Sequence, residues 1–179
     1  MTPNRAGPGA PPSAWVQRWT DLVPEGSPVL DVACGAGRHT RWFLAHGHPV
    51  TAIDRDLGGL GDLTGSGGLE IVEADLEAGA PFPPALLQGR RFGGVVVTNY
   101  LHRPLLGDLV AVVDHNGVLL YETFSERHPA LGGRPSNPDF LLRTGELLEV
   151  VRGRLDVVAY EDVIDGPSAV QRIAAIRTS

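Results

Sequence analysis

The run Val29-Leu30-Asp31-Val32-Ala33-Cys34-Gly35-Ala36-Gly37-Arg38-His39-Thr40 carries an apolar, strand-like segment into a turn of small residues and then into a polar helix start. Such a turn can hold a nucleotide. Gly35 and Gly37 let the backbone bend and approach a ligand with no Cβ in the way, and the amides opening the following helix point outward as donors. A second apolar run, Val50-Thr51-Ala52-Ile53-Asp54, ends in a carboxylate. It stands near the offset of about 20 residues at which nucleotide-binding folds place an acid to accept the ribose hydroxyls. A dinucleotide fingerprint requires a third glycine where this chain has Thr40, which disfavours a pyrophosphate cofactor and a reductase. A Walker-type phosphate loop needs a lysine, and the sequence contains none.

The elements that position these residues fit one domain. The chain has 179 residues with 42% hydrophobic content, enough for a sizeable core and too short for a second one. No apolar run approaches the ~20 residues of a membrane span and no signal-peptide layout opens the chain, so a soluble, cytoplasmic protein is expected. A net charge of −6, with arginine as the only strong base, argues against a broad nucleic-acid surface. The single cysteine, Cys34, excludes an internal disulfide and a cysteine-rich zinc site, and reads as a small packing residue. The histidines at 39, 46, 48 and 115 have no metal-ligand spacing, so no metal is expected.

Residues 1–12, rich in proline and glycine, are expected to be a disordered tail, with the domain spanning 13–179. Ser13 is placed to cap a helix over Ala14–Leu22. Strands are expected at Val29–Val32, Val50–Asp54, Leu69–Glu73, Gly93–Thr98, Gly117–Thr123, Leu155–Ile164 and Val170–Arg177. Helices are expected at His39–His46, Leu105–Val113 and Thr144–Val151. The glycine-rich stretch 58–68 predicts a short, mobile connection with only a poor helix between the second and third strands. The alternation predicts an α/β fold: a doubly wound, mostly parallel, seven-stranded Rossmann-like sheet. Asp165-Gly166-Pro167 closes a C-terminal antiparallel hairpin, and the last strand is expected at the sheet edge.

From Ser27 to the C-terminus the chain resembles the class I S-adenosylmethionine-dependent methyltransferases, and Tyr121-Glu122-Thr123-Phe124 with Arg134-Pro135-Ser136-Asn137-Pro138-Asp139-Phe140-Leu141-Leu142 resembles a small bacterial branch of them near the tellurite-resistance type. Their first motif is an acid followed by Gly-x-Gly-x-Gly. Asp31 matches the acid, Gly35 and Gly37 match the later glycines, and Ala33 replaces the first one. The terminal hairpin also fits that family. The resemblance implies S-adenosyl-L-methionine as cofactor, with Asp31 near its methionine part, Ala33, Gly35 and Gly37 lining it, and Asp54 on the ribose. It further implies Asp75 beside the adenine amino group, the Leu76 amide on the ring, and Asn99 at the cofactor. For Asp75 a plain turn residue is the alternative.

After the fourth expected strand comes Thr98-Asn99-Tyr100-Leu101-His102-Arg103-Pro104, which in an open parallel sheet lies where ligands bind. His102 is the candidate general base, with a packing or capping role as its alternative; Arg103 is a candidate anion binder, or else a solvated charge. Tyr121, on the fifth strand, is the second candidate catalytic residue. The long segment Phe124–Phe140 reads as a lid freed by Gly132 and Gly133, with Tyr100, Tyr121, Phe124 and Phe140 enclosing an acceptor. The expected activity is methyl transfer to a small-molecule acceptor, mainly by approximation. The alternatives are an RNA or protein methyltransferase, or a cofactor-binding regulatory protein without turnover.

Overall fold

A computed structural model describes residues 9–78, 87 and 89–178. The expected tail lies outside the described residues as far as residue 8. Its end is held in place: the Pro11 carbonyl accepts from Arg38 and the Pro12 carbonyl from Gln17.

Among the described residues one sheet contains β1 (Val29–Val32), β2 (Val50–Asp54), β3 (Leu69–Glu73), β4 (Phe92–Thr98), β5 (Val113–Phe124), β6 (Asp156–Asp165) and β7 (Ser168–Ile176), in the order β3-β2-β1-β4-β5-β7-β6. The first five strands pair in parallel, and β7 is antiparallel to both its neighbours. Every residue of β1 and β2 is buried, as expected of parallel strands covered on both faces. The chain turns from one side of β1 to the other between β3 and β4. That reversal opens a crevice at the strands' carboxyl ends.

Two strand expectations are corrected. The last strand is not outermost: β7 inserts between β5 and β6, leaving β6 as the edge. The reason is burial. Residues 169–175 of β7 are all buried, whereas β6, rich in acids, is largely exposed or half-buried. β5 starts at Val113, ahead of the expected Gly117, across a register irregularity where Asp114, His115 and Asn116 are exposed and carry no apolar alternation.

Helices α1 (Ala14–Trp19) and α2 (Arg38–Ala45) cover one face, packing Trp15 and Phe43 against Val96 and Leu120. Helices α3 (Leu106–Ala111) and α4 (Glu146–Val151) cover the other, packing Leu109 and Leu147 with Val95, Val97 and Tyr121. Ser13 caps α1 as expected, its Oγ accepting from the Trp15 amide at 3.1 Å and the Val16 amide at 3.4 Å. The expected helices are trimmed, with 20–22 and 103–105 forming 3-10 turns. The connection after β2 is pinned by packing and hydrogen bonds. Residues 58–63 form a 3-10 turn that buries Leu60, and Arg41 ties the Ala36 and Gly59 carbonyls to Asp62.

Candidate functional site

A cleft opens over the carboxyl ends of β1, β2, β4 and β5, with Ala33, Cys34, Gly35 and Ala36 in its wall. Hydrogen bonds to β2 hold this turn: the Cys34 amide donates to the Ile53 carbonyl at 3.0 Å, and the Gly35 amide to Asp54 Oδ2 at 2.8 Å. The other Asp54 oxygen accepts from the Asp56 amide at 3.0 Å. Ala33 adopts a left-handed conformation, φ +53°. An L-residue is strained by about 1–2 kcal/mol there, which gives a physical reason for glycine at that place in the resembling motif. Gly37 does not line the cleft. It has φ +74°, and a Cβ on it would overlap Leu60, so its role is to shape the turn into α2.

Asp31 also lies beneath the cleft, 2% exposed, its Oδ2 accepting from Thr40 Oγ1 at 2.6 Å. Burial pushes its carboxyl up to about 6, although hydrogen bonds from Thr40 oppose the shift.

The β2–β3 half of the cleft contains Asp54, Asp75, Leu76, Glu77 and Tyr100. Asp75 is a turn residue that also faces the cleft: its Oδ1 accepts from the Glu77 amide at 2.9 Å, closing the turn. Tyr100 belongs to this half, near Glu77, Asp75 and Asp54, and not with Phe124 and Phe140. Burial, reinforced by the negative charges of Glu77 and Asp75, resists ionisation of its phenol, and the phenolic oxygen is buried with no partner among the described residues.

The β4–β5 half contains Arg38, His39, Thr98, Asn99, Thr123, Phe124, Pro135 and Phe140. Asn99, left-handed at φ +55°, donates its amide to the Glu122 carbonyl at 2.9 Å and turns the chain across the cleft. His39 Nε2 accepts from the Ser13 amide at 3.1 Å, which fixes the proton on Nδ1, 3.4 Å from Thr98 Oγ1. Burial, then the adjacent Arg38 charge, holds the imidazole neutral down to about pH 3.

Both expected catalytic residues lie outside the cleft wall. Tyr121 is 1% exposed, turned by strand alternation into the core beneath α3 and α4, and donates its hydroxyl to the Tyr100 carbonyl at 2.8 Å. His102 is half-buried at the entry to the 103–105 turn, where its carbonyl accepts the Leu105 amide at 3.0 Å. Arg103 is a clamp and not an anion site. It grips Glu146 with two nitrogens, at 2.7 and 2.9 Å, and donates to the Asp139 and Leu141 carbonyls.

The expected lid is anchored by its own packing. Ser125 bridges to Leu142, and buried His128 stacks on Phe124 at 4.4 Å. His128 Nδ1 accepts from the Ala169 amide, and Nε2 donates to the Arg134 carbonyl. Gly133 lies flat on that imidazole, where a Cβ would overlap the ring, so the pair 132–133 is no free hinge. From the segment 125–140 only Pro135 and Phe140 reach the cleft.

Reading the sequence for motifs passes over Arg38, His39, Thr98 and Thr123. Their position was the available signal, since they open the helix after the glycine turn or end β4 and β5, where a doubly wound sheet forms its crevice.

No protein-family profile matches the chain, and no curated protein does. Solved structures do. A TehB-like SAM-dependent methyltransferase from Corynebacterium glutamicum superimposes with a TM-score of 0.65 at 17% identity, covering 94% of this chain and 90% of that one. The fold is that of the S-adenosylmethionine-dependent methyltransferases. The glycopeptide N-methyltransferase MtfA, complexed with S-adenosylmethionine, matches over 99% of both chains with a TM-score of 0.62 at 20% identity. The Burkholderia thailandensis 1,6-didemethyltoxoflavin-N1-methyltransferase matches 94% of this chain and 80% of its own, with a TM-score of 0.64 at 18% identity. All three methyltransferase structures span nearly the whole of this domain. Among the described residues no helix is long and apolar enough to cross a membrane.

Proposed function

We propose that this chain is an S-adenosylmethionine-dependent methyltransferase acting on a small molecule. The observation that carries this reading is the cleft across the β1/β4 reversal, with Asp54, Asp75, Leu76 and the buried unpartnered Tyr100 phenol on one side and Phe124, Pro135 and Phe140 among polar groups on the other. A buried hydroxyl without a partner is costly, so Tyr100 fits a polar nucleoside beside it. Asp54 accepts the ribose hydroxyls, Gly35 and Ala33 line the methionine part, Asp75 and the Leu76 amide take the adenine, and Asn99 faces the centre. When bound, S-adenosylmethionine supplies a methyl group activated by its sulfonium. Phe124, Pro135 and Phe140 exclude water and seat the acceptor against that group. Orientation of this kind supplies much of the acceleration when the leaving group is already good.

The test is calorimetric titration of the full chain with S-adenosylhomocysteine and with NAD. The demethylated cofactor should bind and NAD should not. Asp54→Ala should weaken binding about tenfold or more, since charge-assisted hydrogen bonds are worth about 1.5–3 kcal/mol each. Asp54→Asn, which keeps an acceptor for the Gly35 amide, separates ribose recognition from collapse of the turn. Absence of S-adenosylhomocysteine binding to the folded wild type sinks the proposal.

A further inference from the structure

The β4–β5 half of the cleft contains a cation and, among the described residues lining it, no group placed to take a proton. His39 has its only lone pair bound by the Ser13 amide, and Thr98, Asn99 and Thr123 are neutral. Nearby carboxylates are engaged elsewhere: Asp31 with Thr40 under the turn, and Glu122 with Ser13 Oγ at 2.8 Å and Arg172 at 3.1 Å. The Cys34 thiol faces the Gly35 carbonyl at 3.9 Å. Asp54, Asp75 and Glu77 stand in the other half. Arg38, by contrast, lines this half with long hydrogen bonds to two neutral oxygens, Thr98 Oγ1 and the Pro11 carbonyl, both at 3.4 Å. A guanidinium has five N–H donors, so capacity remains for an anion. Burial lowers its pKa although the charges of Glu122 and Asp31 oppose the shift, so the desolvated guanidinium still gains from a further anionic partner in the cleft.

Resting on the methyltransferase reading, we propose that the acceptor is a small organic anion, a thiolate or carboxylate on an apolar body, already ionised on arrival and held with its charge towards Arg38 and its body on Phe124 and Phe140. In the transfer, the acceptor's electron pair forms the new bond to the methyl carbon. The carbon–sulfur bond breaks and its pair stays on sulfur, so an anion and a sulfonium become two neutral centres with no proton to dispose of. An amine would behave differently. Protonated, it has no lone pair and is repelled by Arg38; neutral, it becomes a cationic ammonium beside the Arg38 guanidinium as the methyl arrives, which places two like charges together.

The experiment uses the full chain loaded with S-adenosylhomocysteine and titrated with benzoate and with benzylamine, which share an aromatic body. Turnover with benzenethiol and benzylamine is then followed in weakly buffered S-adenosylmethionine. Benzoate should bind about tenfold tighter or more, and Arg38→Gln should erase that preference while changing S-adenosylhomocysteine affinity less than about threefold. Benzenethiol should be methylated in step with its thiolate fraction. Preference for benzylamine, equal binding of the two, or no transfer to benzenethiol overturns the proposal. So does a loss of about tenfold or more in S-adenosylhomocysteine affinity in Arg38→Gln, which puts that guanidinium on the cofactor's own carboxylate. Failure of the wild type to bind S-adenosylhomocysteine is a different result and removes the methyltransferase reading itself.

Discussion

The Tyr121 hydroxyl donates to the Tyr100 carbonyl at 2.8 Å, joining the core beneath α3 and α4 to the residue whose phenol borders the β2–β3 half of the cleft. Tyr121 is thus a positioning residue. Tyr121→Phe keeps the ring and removes one hydrogen bond, a loss of about 1 kcal/mol. Urea unfolding should show that loss, and S-adenosylhomocysteine affinity should fall about threefold as Tyr100 shifts. Unchanged stability and affinity would disconnect the two tyrosines.

Asp31 and His39 titrate in opposite senses under the cleft. Asp31, raised from 3.8 to about 6, binds more protons folded than unfolded between those values. Its contribution is full below the unfolded value and is lost as pH rises through about 6, a change of about 3 kcal/mol. His39, lowered from 6.5 to about 3, contributes above its unfolded value and loses that contribution as pH falls. Between pH 4 and 6 the two offset each other. Asp31→Asn should therefore raise stability at about pH 7 by roughly 1–3 kcal/mol and expose a steeper decline towards acid. Urea midpoints across pH for the two proteins should diverge above about pH 5; parallel profiles would show that Asp31 is not perturbed.

The sheet was legible because β1, β2 and β4 are short parallel strands buried over nearly their whole length, which leaves mainly apolar runs in the sequence. Asp54 and Asp75 were marked by their places at or just after strand ends, and both face the cleft. Tyr121 and Arg103 were misread for a shared reason: a residue's type announces chemistry, while its direction depends on packing far along the chain. Strand alternation turns Tyr121 inward, and Arg103 meets a glutamate 43 residues away. His39 was passed over because its proton is fixed by the backbone of Ser13, a relation with no local signature.

Gly133 lies against the His128 ring, which in turn stacks on Phe124 in the cleft wall. Gly133→Ala should displace the imidazole, costing about 1–3 kcal/mol as an overpacked contact and disturbing the Phe124 wall. Neighbouring Gly132 has open space around it but φ +77°, so Gly132→Ala meets backbone strain alone. Hydrogen exchange at 125–142 should quicken more in the Gly133 variant. The reverse order would place the segment's constraint at the backbone of Gly132.

Arg103 donates to the carbonyls on both sides of Phe140, those of Asp139 at 3.0 Å and Leu141 at 2.8 Å, while Glu146 holds its other edge. This arrangement keeps Phe140, 39% exposed, at the cleft mouth. Burial would raise the Glu146 carboxyl, but the bonds from Arg103 and Arg143 outweigh it and hold the group below the usual range. The sign follows: the clamp's stability is present above the ordinary glutamate value and is lost as pH falls through the lower folded one. Glu146→Gln should cost about 2 kcal/mol, the lower part of the range for charge-assisted pairs because Arg103 is 32% exposed and screened. Arg103→Lys keeps the charge but cannot span both carbonyls and the carboxylate. That variant should leave S-adenosylhomocysteine affinity intact, quicken exchange at 138–142, and raise KM for a methyl acceptor by about threefold or more with little change in kcat. An unchanged acceptor KM, with exchange in 138–142 as slow as in the wild type, would show that Phe140 is held without Arg103.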